Sequence, residues 1–170
     1  MNESLKKALK PLLFLLAFSF CTLDGYSQTT FILVRHAEKA DDGTRNPPLN
    51  DGGKERSARL ADLVKNQEVA ALYSTPFKRT QETLEPLAEQ KELEIKGYDP
   101  FAKDDWLETI IKQHTGGTVV ICGHSNTIPS LANSLLGEDV FEQFEESDYS
   151  NLIIIVVEEM GKGKLVRLSF

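Results

Sequence analysis

Cysteine is nearly missing from this chain: its 170 residues carry two, Cys21 and Cys122. If the amino-terminal leader described below is removed, Cys122 stands alone. No internal disulfide can then brace the fold, even in an oxidising compartment. Positive charge is also scarce, with 19 Lys and Arg against 26 Asp and Glu and a net charge of −7. No basic cluster offsets this, which argues against nucleic acid as a partner. An anionic substrate must therefore be held by local positive charge. There is no His-Glu-x-x-His and no helical His pair, so the spacing of a zinc hydrolase is absent. Internal repeats and linkers are missing too, and the length suits one domain.

Long apolar runs are likewise absent. The run over 12–20 is shorter than the roughly 20 residues that span a bilayer. It follows Lys6, Lys7 and Lys10 and precedes Gly25-Tyr26-Ser27, a small-residue cleavage pattern. Residues 1–27 read as a secretory signal peptide, leaving a mature domain over 28–170. That predicts an exported protein, periplasmic or extracellular, with no stable membrane insertion once the leader is gone. Cys21 offers a lipid-anchored alternative, although Phe20 before it is bulky for that cleavage. Cys122 reads as a small buried apolar residue rather than a nucleophile.

What is present is an alternation of strand-like and helix-like segments. Phe31-Ile32-Leu33-Val34 is an apolar, partly β-branched run that stops at Arg35-His36. A loop rich in Asp, Gly, Asn and Pro covers 40–50. Asn50 is placed to cap a helix over 51–66, with Ala58, Leu60, Ala61, Leu63 and Val64 on its apolar side. A short strand over 70–73 leads to Ser74-Thr75-Pro76, read as the capped start of a helix that runs to about residue 90 and contains Pro86. A charged strand over 93–98 is expected near a sheet edge. A helix over 104–114 closes at Gly116-Gly117 and leaves His114 exposed at its end. The strand over 118–122 turns at Gly123-His124 into a helix over 127–136. A short helix near 140–144 is expected, then a terminal hairpin of strands over 151–157 and 164–170. The fold class is α/β: a three-layer α/β/α sandwich on a largely parallel sheet.

Ligands in open α/β sheets sit at the carboxyl ends of strands. Three such ends carry polar groups here: Arg35-His36, Arg79 one turn into the next helix, and His124. Brought together, they surround a cavity with two histidines and two arginines. Arginine's planar fork suits phosphate. A protonated His and the helix start after Ser125 would add donors, leaving the other His free to attack phosphorus. Asn126 is a further candidate phosphate contact at that helix start. Glu38 would orient the loop or be solvated; Phe31 and Trp106 read as packing residues.

Three segments in order resemble the signatures of the histidine phosphatase superfamily, the phosphoglycerate-mutase-like proteins. They are Arg35-His36-Ala37-Glu38, the stretch from Ser74 to Thr83, and Gly123-His124-Ser125. The resemblance implies a mixed sheet of about six strands with one antiparallel. It implies a phosphohistidine at His36, with phosphate contacts from Arg35, Arg79 and His124. It implies neither metal nor cofactor, and a small phosphorylated substrate. Departures concern the proton donor. The glutamate that many members place after the third strand is not preserved, and Asp104 falls nearest by spacing. A frequent phosphate-binding Asn is replaced by Asp42, either displaced or itself a donor. The acid phosphatase branch's Asp after the second His is Ser125 here. The general acid is therefore open between Asp42 and Asp104, and its absence would suit either a good leaving group or a phosphate-binding scaffold without catalysis. The short chain leaves little room for a lid, which favours an open pocket and hydrolysis over mutase chemistry.

Overall fold

The computed structural model describes residues 27–169. The expected leader, with Cys21, lies outside the described residues except for Ser27, as does Phe170 at the end of the last strand. In chain order the elements are β1 (Thr29–Arg35), α1 (Asp51–Val64), β2 (Val69–Ser74), α2 (Lys78–Lys91), β3 (Ile95–Gly97), α3 (Lys103–Gln113), β4 (Thr118–Gly123), α4 (Thr127–Leu136), β5 (Asn151–Val157) and β6 (Lys164–Ser169). The six strands form one sheet in the order β3-β2-β4-β1-β5-β6. Strands β3, β2, β4 and β1 pair in parallel; β5 runs antiparallel to β1, and β6 to β5. This is the largely parallel α/β sandwich that the alternation predicted and the mixed six-stranded sheet that the resemblance implied, with the charged β3 at one edge.

The strands' period of two divides the core. Phe31, Leu33, Val119, Ile121, Ile153 and Ile155 face α3 and α4, while Ile32, Val34, Leu72, Val120 and Cys122 face α1 and α2. Burying each large apolar side chain contributes about 1.5–3 kcal/mol, so both sheet faces are fixed firmly and the register with them. Asn50 caps α1 as expected, accepting from the Gly53 amide at 2.8 Å.

Three local expectations are corrected. Helix α2 starts at Lys78, with Phe77 at its cap and no side-chain cap of its own. Asn46, from the loop between β1 and α1, accepts from the Lys78 amide at 2.9 Å instead. On α1 the buried face turns toward Ser57, so Ala58 is exposed and Leu63 is 58% exposed. Ser57 is buried because its hydroxyl donates to the Glu82 and Thr83 carbonyls at 2.9 Å, tying α1 to α2. Finally, residues 140–144 form no helix. Asn133 accepts from the Val140 and Phe141 amides and donates to the Phe141 carbonyl, and Ser125 accepts from the Phe144 amide. These bonds and the burial of Phe141 and Phe144 hold the segment extended against α4. No helix among the described residues is long and apolar enough to cross a membrane.

Candidate active site

The parallel pairing of β1 with β4 sets Arg35 opposite Gly123, and the His36 amide donates to the Gly123 carbonyl at 2.9 Å. The next residue on each strand is a histidine. The two imidazoles consequently meet at the carboxyl edge of the sheet, with ring centroids 5.4 Å apart. Gly123 is required by close approach: a Cβ there would lie 2.7 Å from both the Thr127 hydroxyl and the Tyr98 hydroxyl. Its backbone φ is not in the left-handed region, so it is packing rather than a special turn that demands glycine.

His36 is only 4% exposed. Its Nδ1 lies 2.8 Å from the Ala37 carbonyl, which can only accept, so Nδ1 carries the proton and Nε2 keeps its lone pair. Burial lowers its pKa to about 3; the Ala37 bond opposes this, while Arg79, Arg35 and His124 add to it. The Ala37 amide donates to the Thr83 hydroxyl at 2.9 Å, and that hydroxyl donates to the Arg79 carbonyl at 2.6 Å. The loop that carries His36 is thus fastened to the helix carrying Arg79. Glu38, the next residue on that loop, forms a forked ion pair with Arg56 of α1, with Nη2–Oε1 at 2.6 Å and Nε–Oε2 at 3.0 Å. It orients the loop.

The environment of His124 differs. Thr80 donates its hydroxyl to the Thr75 and Phe77 carbonyls, and Thr75 donates to Thr80. The Thr75 oxygen, 2.9 Å from His124 Nε2, is therefore an acceptor, and Nε2 carries the hydrogen. His124 Nδ1 is left facing Arg79 Nη2 at 3.5 Å. Burial, then Arg79 and Arg35, lower the His124 pKa to about 4, against an opposing pull from Glu146. The protonated second histidine expected from the sequence is thus neutral in the free site.

Arg35 is 1% exposed. Its Nη1 donates to the Glu145 and Asp148 carbonyls at 2.8 Å, its Nη2 pairs with Glu146 at 3.1 Å, and its guanidinium lies 4.2 Å from the Tyr149 ring centroid. Arg79 lies over the Phe77 ring at 4.5 Å. The Nε atoms of Arg35 and Arg79 are buried and have no hydrogen-bond partner. Among the described residues, these are the side-chain donors that folding leaves buried and unsatisfied. A buried donor without an acceptor costs about 1–3 kcal/mol. An oxyanion between the two guanidinium groups would remove that cost.

Asn126 sits beside His124, Thr75, Arg79 and Phe77 on the wall of a cavity of about 450 Å³. Asp42 is exposed and accepts from the Thr44 amide and hydroxyl, which lower its pKa. Those bonds favour its ionised form, so it holds no proton to donate down to a lower pH than an ordinary Asp. Asp104 opens α3 and accepts from Ser134 on α4 at 2.9 Å; it does not line the cavity. His114 is half-buried, not exposed, and its Nε2 lies 3.3 Å from the Tyr73 hydroxyl. Cys122 is fully buried, and burial raises its pKa, in keeping with a packing role.

The segment from Glu145 to Tyr149 was not singled out in the sequence. It enters β5, and because β5 is antiparallel to β1, its start lies at the carboxyl end of β1 beside Arg35. Glu146 bridges Arg35 and the Ser125 hydroxyl, the latter at 2.7 Å. The four acidic positions among 142–148 were the available signal, but only the strand's direction makes them part of this site.

A buried Arg35, a half-buried Arg79 and two neutral imidazoles meet at adjacent strand ends, and the buried Nε–H groups of both arginines suit an oxyanion. The sequence model of the histidine phosphatase superfamily (branch 1) matches residues 31–101. Over that stretch the chain is similar to the histidine phosphatase superfamily, and its fold is like that of the solved phosphatases below. Phosphoserine phosphatase 1 of Hydrogenobacter thermophilus is 37% identical over 80 residues, 44% of this chain. The match spans only 38% of that protein's length. The protein histidine phosphatase SixA, solved with tungstate, shares the fold at a TM-score of 0.69 and 19% identity, covering 82% of this chain and 96% of its own. Phosphoserine phosphatase of Entamoeba histolytica does so at 0.64 and 16%, covering 84% and 96%.

Proposed function

We propose that this protein is an exported phosphatase that hydrolyses a small phosphate ester or phosphoramidate through a phosphohistidine at His36. The observation that carries the reading is the pair of buried, partnerless Nε–H groups on Arg35 and Arg79 beside the neutral His36. A phosphoryl group bound there satisfies both donors. Its negative charge offsets Arg79 and Arg35 and opposes the burial that holds His124 neutral, so His124 takes up a proton from solvent at Nδ1 and hydrogen-bonds a phosphoryl oxygen with it while Nε2–H stays on Thr75. His36 Nε2 then forms the P–N bond as the bond to the leaving group breaks, and the leaving group departs with that bond's electron pair and takes a proton from water in the open cavity. Water next attacks phosphorus, the P–N bond returns its electron pair to Nε2, and inorganic phosphate departs. Positioning and charge stabilisation do most of the work in such transfers. Export rests on the leader read in the sequence.

A second reading, a phosphate-binding protein without turnover, draws support from the placement of Asp42 and Asp104 away from the cavity. One experiment separates the two. Rapid quench with a radiolabelled phosphate ester should leave label on the wild-type protein and none on His36→Ala. Full turnover by His36→Ala overturns the phosphohistidine route; phosphate binding without burst or turnover favours the second reading.

A further inference from the structure

The cavity beside His124 has a composition that the phosphate chemistry does not explain. Beyond Arg79, His124 and the polar Thr75, Asp99, Asn126 and Thr127, its walls are Pro76, Phe77, Tyr98, Pro100 and Phe101. Tyr98 is held rigid by stacking on Trp106, with centroids 4.7 Å apart and planes at 11°. Phe77 packs edge-on against the His124 ring at 5.1 Å. Phe101 stands at the rim and is 90% exposed, an unusual position for a large apolar side chain. Its amide donates to Asp99, which turns the loop after β3 and carries the wall's only carboxylate among the described residues.

Resting on the phosphatase reading, the geometry points to this cavity as a leaving-group subsite for an uncharged aromatic ring. Phosphorus bound between Arg35 and Arg79 places its leaving group beside His124, where the cavity opens. Aromatic walls and an exposed Phe101 reward a flat apolar group with ring contacts and released water. A leaving group bearing a carboxylate meets the opposite. Arg79 is committed to phosphate, no other cation among the described residues lines the wall, and Asp99 repels it. Phosphoglycerate, whose leaving group is a net anion, is therefore a poor substrate here, although a phosphoserine phosphatase of similar fold was solved with 3-phosphoglyceric acid.

The test compares 2-phenylethyl phosphate with ethyl phosphate, both esters of primary alcohols, so that the ring rather than leaving-group basicity sets the difference. The expected kcat/KM preference for the ring is about tenfold, the scale of one apolar subsite contact. Phe101→Ala, at a position exposed enough to leave the fold intact, should cut that ratio about threefold. Equal kcat/KM for the two esters, or phosphoglycerate as the better substrate, overturns the subsite while leaving the phosphatase reading standing. If neither alkyl ester turns over and phenyl phosphate and phosphoramidate are not hydrolysed either, that reading has failed, and calorimetry with phenylphosphonate and methylphosphonate decides the subsite alone. Phenylphosphonate should bind at least about fivefold tighter; equal affinity, or no binding by either, overturns it.

Discussion

Replacing His36 with Asn should flatten the acid sensitivity of folding by a calculable amount. The Asn amide can still donate to the Ala37 carbonyl, so the loop keeps its bond. What it loses is a titrating group. In the folded chain His36 has a pKa of about 3, against 6.5 for an unperturbed imidazole, with burial the main cause. The folded pKa is depressed, so the unfolded chain binds the extra proton between those values. Stability from the neutral, buried His36 is therefore full above pH 6.5 and falls as pH drops through 6.5 toward 3. Between pH 7 and pH 5 the unfolded state gains about 2 kcal/mol from protonating this one residue. The figure is insensitive to the folded value as long as that value lies well below 5. Urea unfolding of wild type and His36→Asn at both pH values measures it. The wild type should lose about 2 kcal/mol more than the variant on acidification. An equal loss in the two proteins refutes a depressed, buried nucleophile and with it the assignment of a free Nε2 at acidic pH.

Arg79→Met removes one of the two guanidinium groups. It should lower kcat/KM for phosphate esters by roughly ten- to a hundredfold, the value of charged hydrogen bonds, and raise the His36 and His124 midpoints in NMR titrations, since Arg79 lowers both. Glu146 pairs with Arg35, is 73% exposed at its side chain and competes with phosphate for that arginine. Glu146→Gln should tighten product inhibition by inorganic phosphate by up to about fivefold; weaker inhibition would make Glu146 a helper of anion binding instead. Gly123→Ala drives a methyl group into the Thr127 and Tyr98 hydroxyls. It should cost about 1–3 kcal/mol in urea unfolding and displace His124, lowering turnover.

The sequence alone determined the strands and which of their carboxyl ends carry arginine and histidine. Apolar period-two runs ending in Arg35-His36 and Gly123-His124 are local patterns, and local patterns survive without a partner. The same logic placed Asn50 as a cap and β3 at an edge. It failed where a distant group replaced a nearby one: Asn46 caps α2 from another loop, and Asn133 unwinds what looked like a helix at 140–144. The protein's charge states were also beyond it, because the low pKa values of His36 and His124 come from burial and from arginines on other elements. Only the tertiary structure decided that neither Asp42 nor Asp104 lines the cavity beside His124. Only the reversed direction of β5 brought Glu146 and Tyr149 to Arg35. A strand's direction is set by how the whole sheet closes its edges and buries both faces, a property of all six strands together that no single stretch of residues carries.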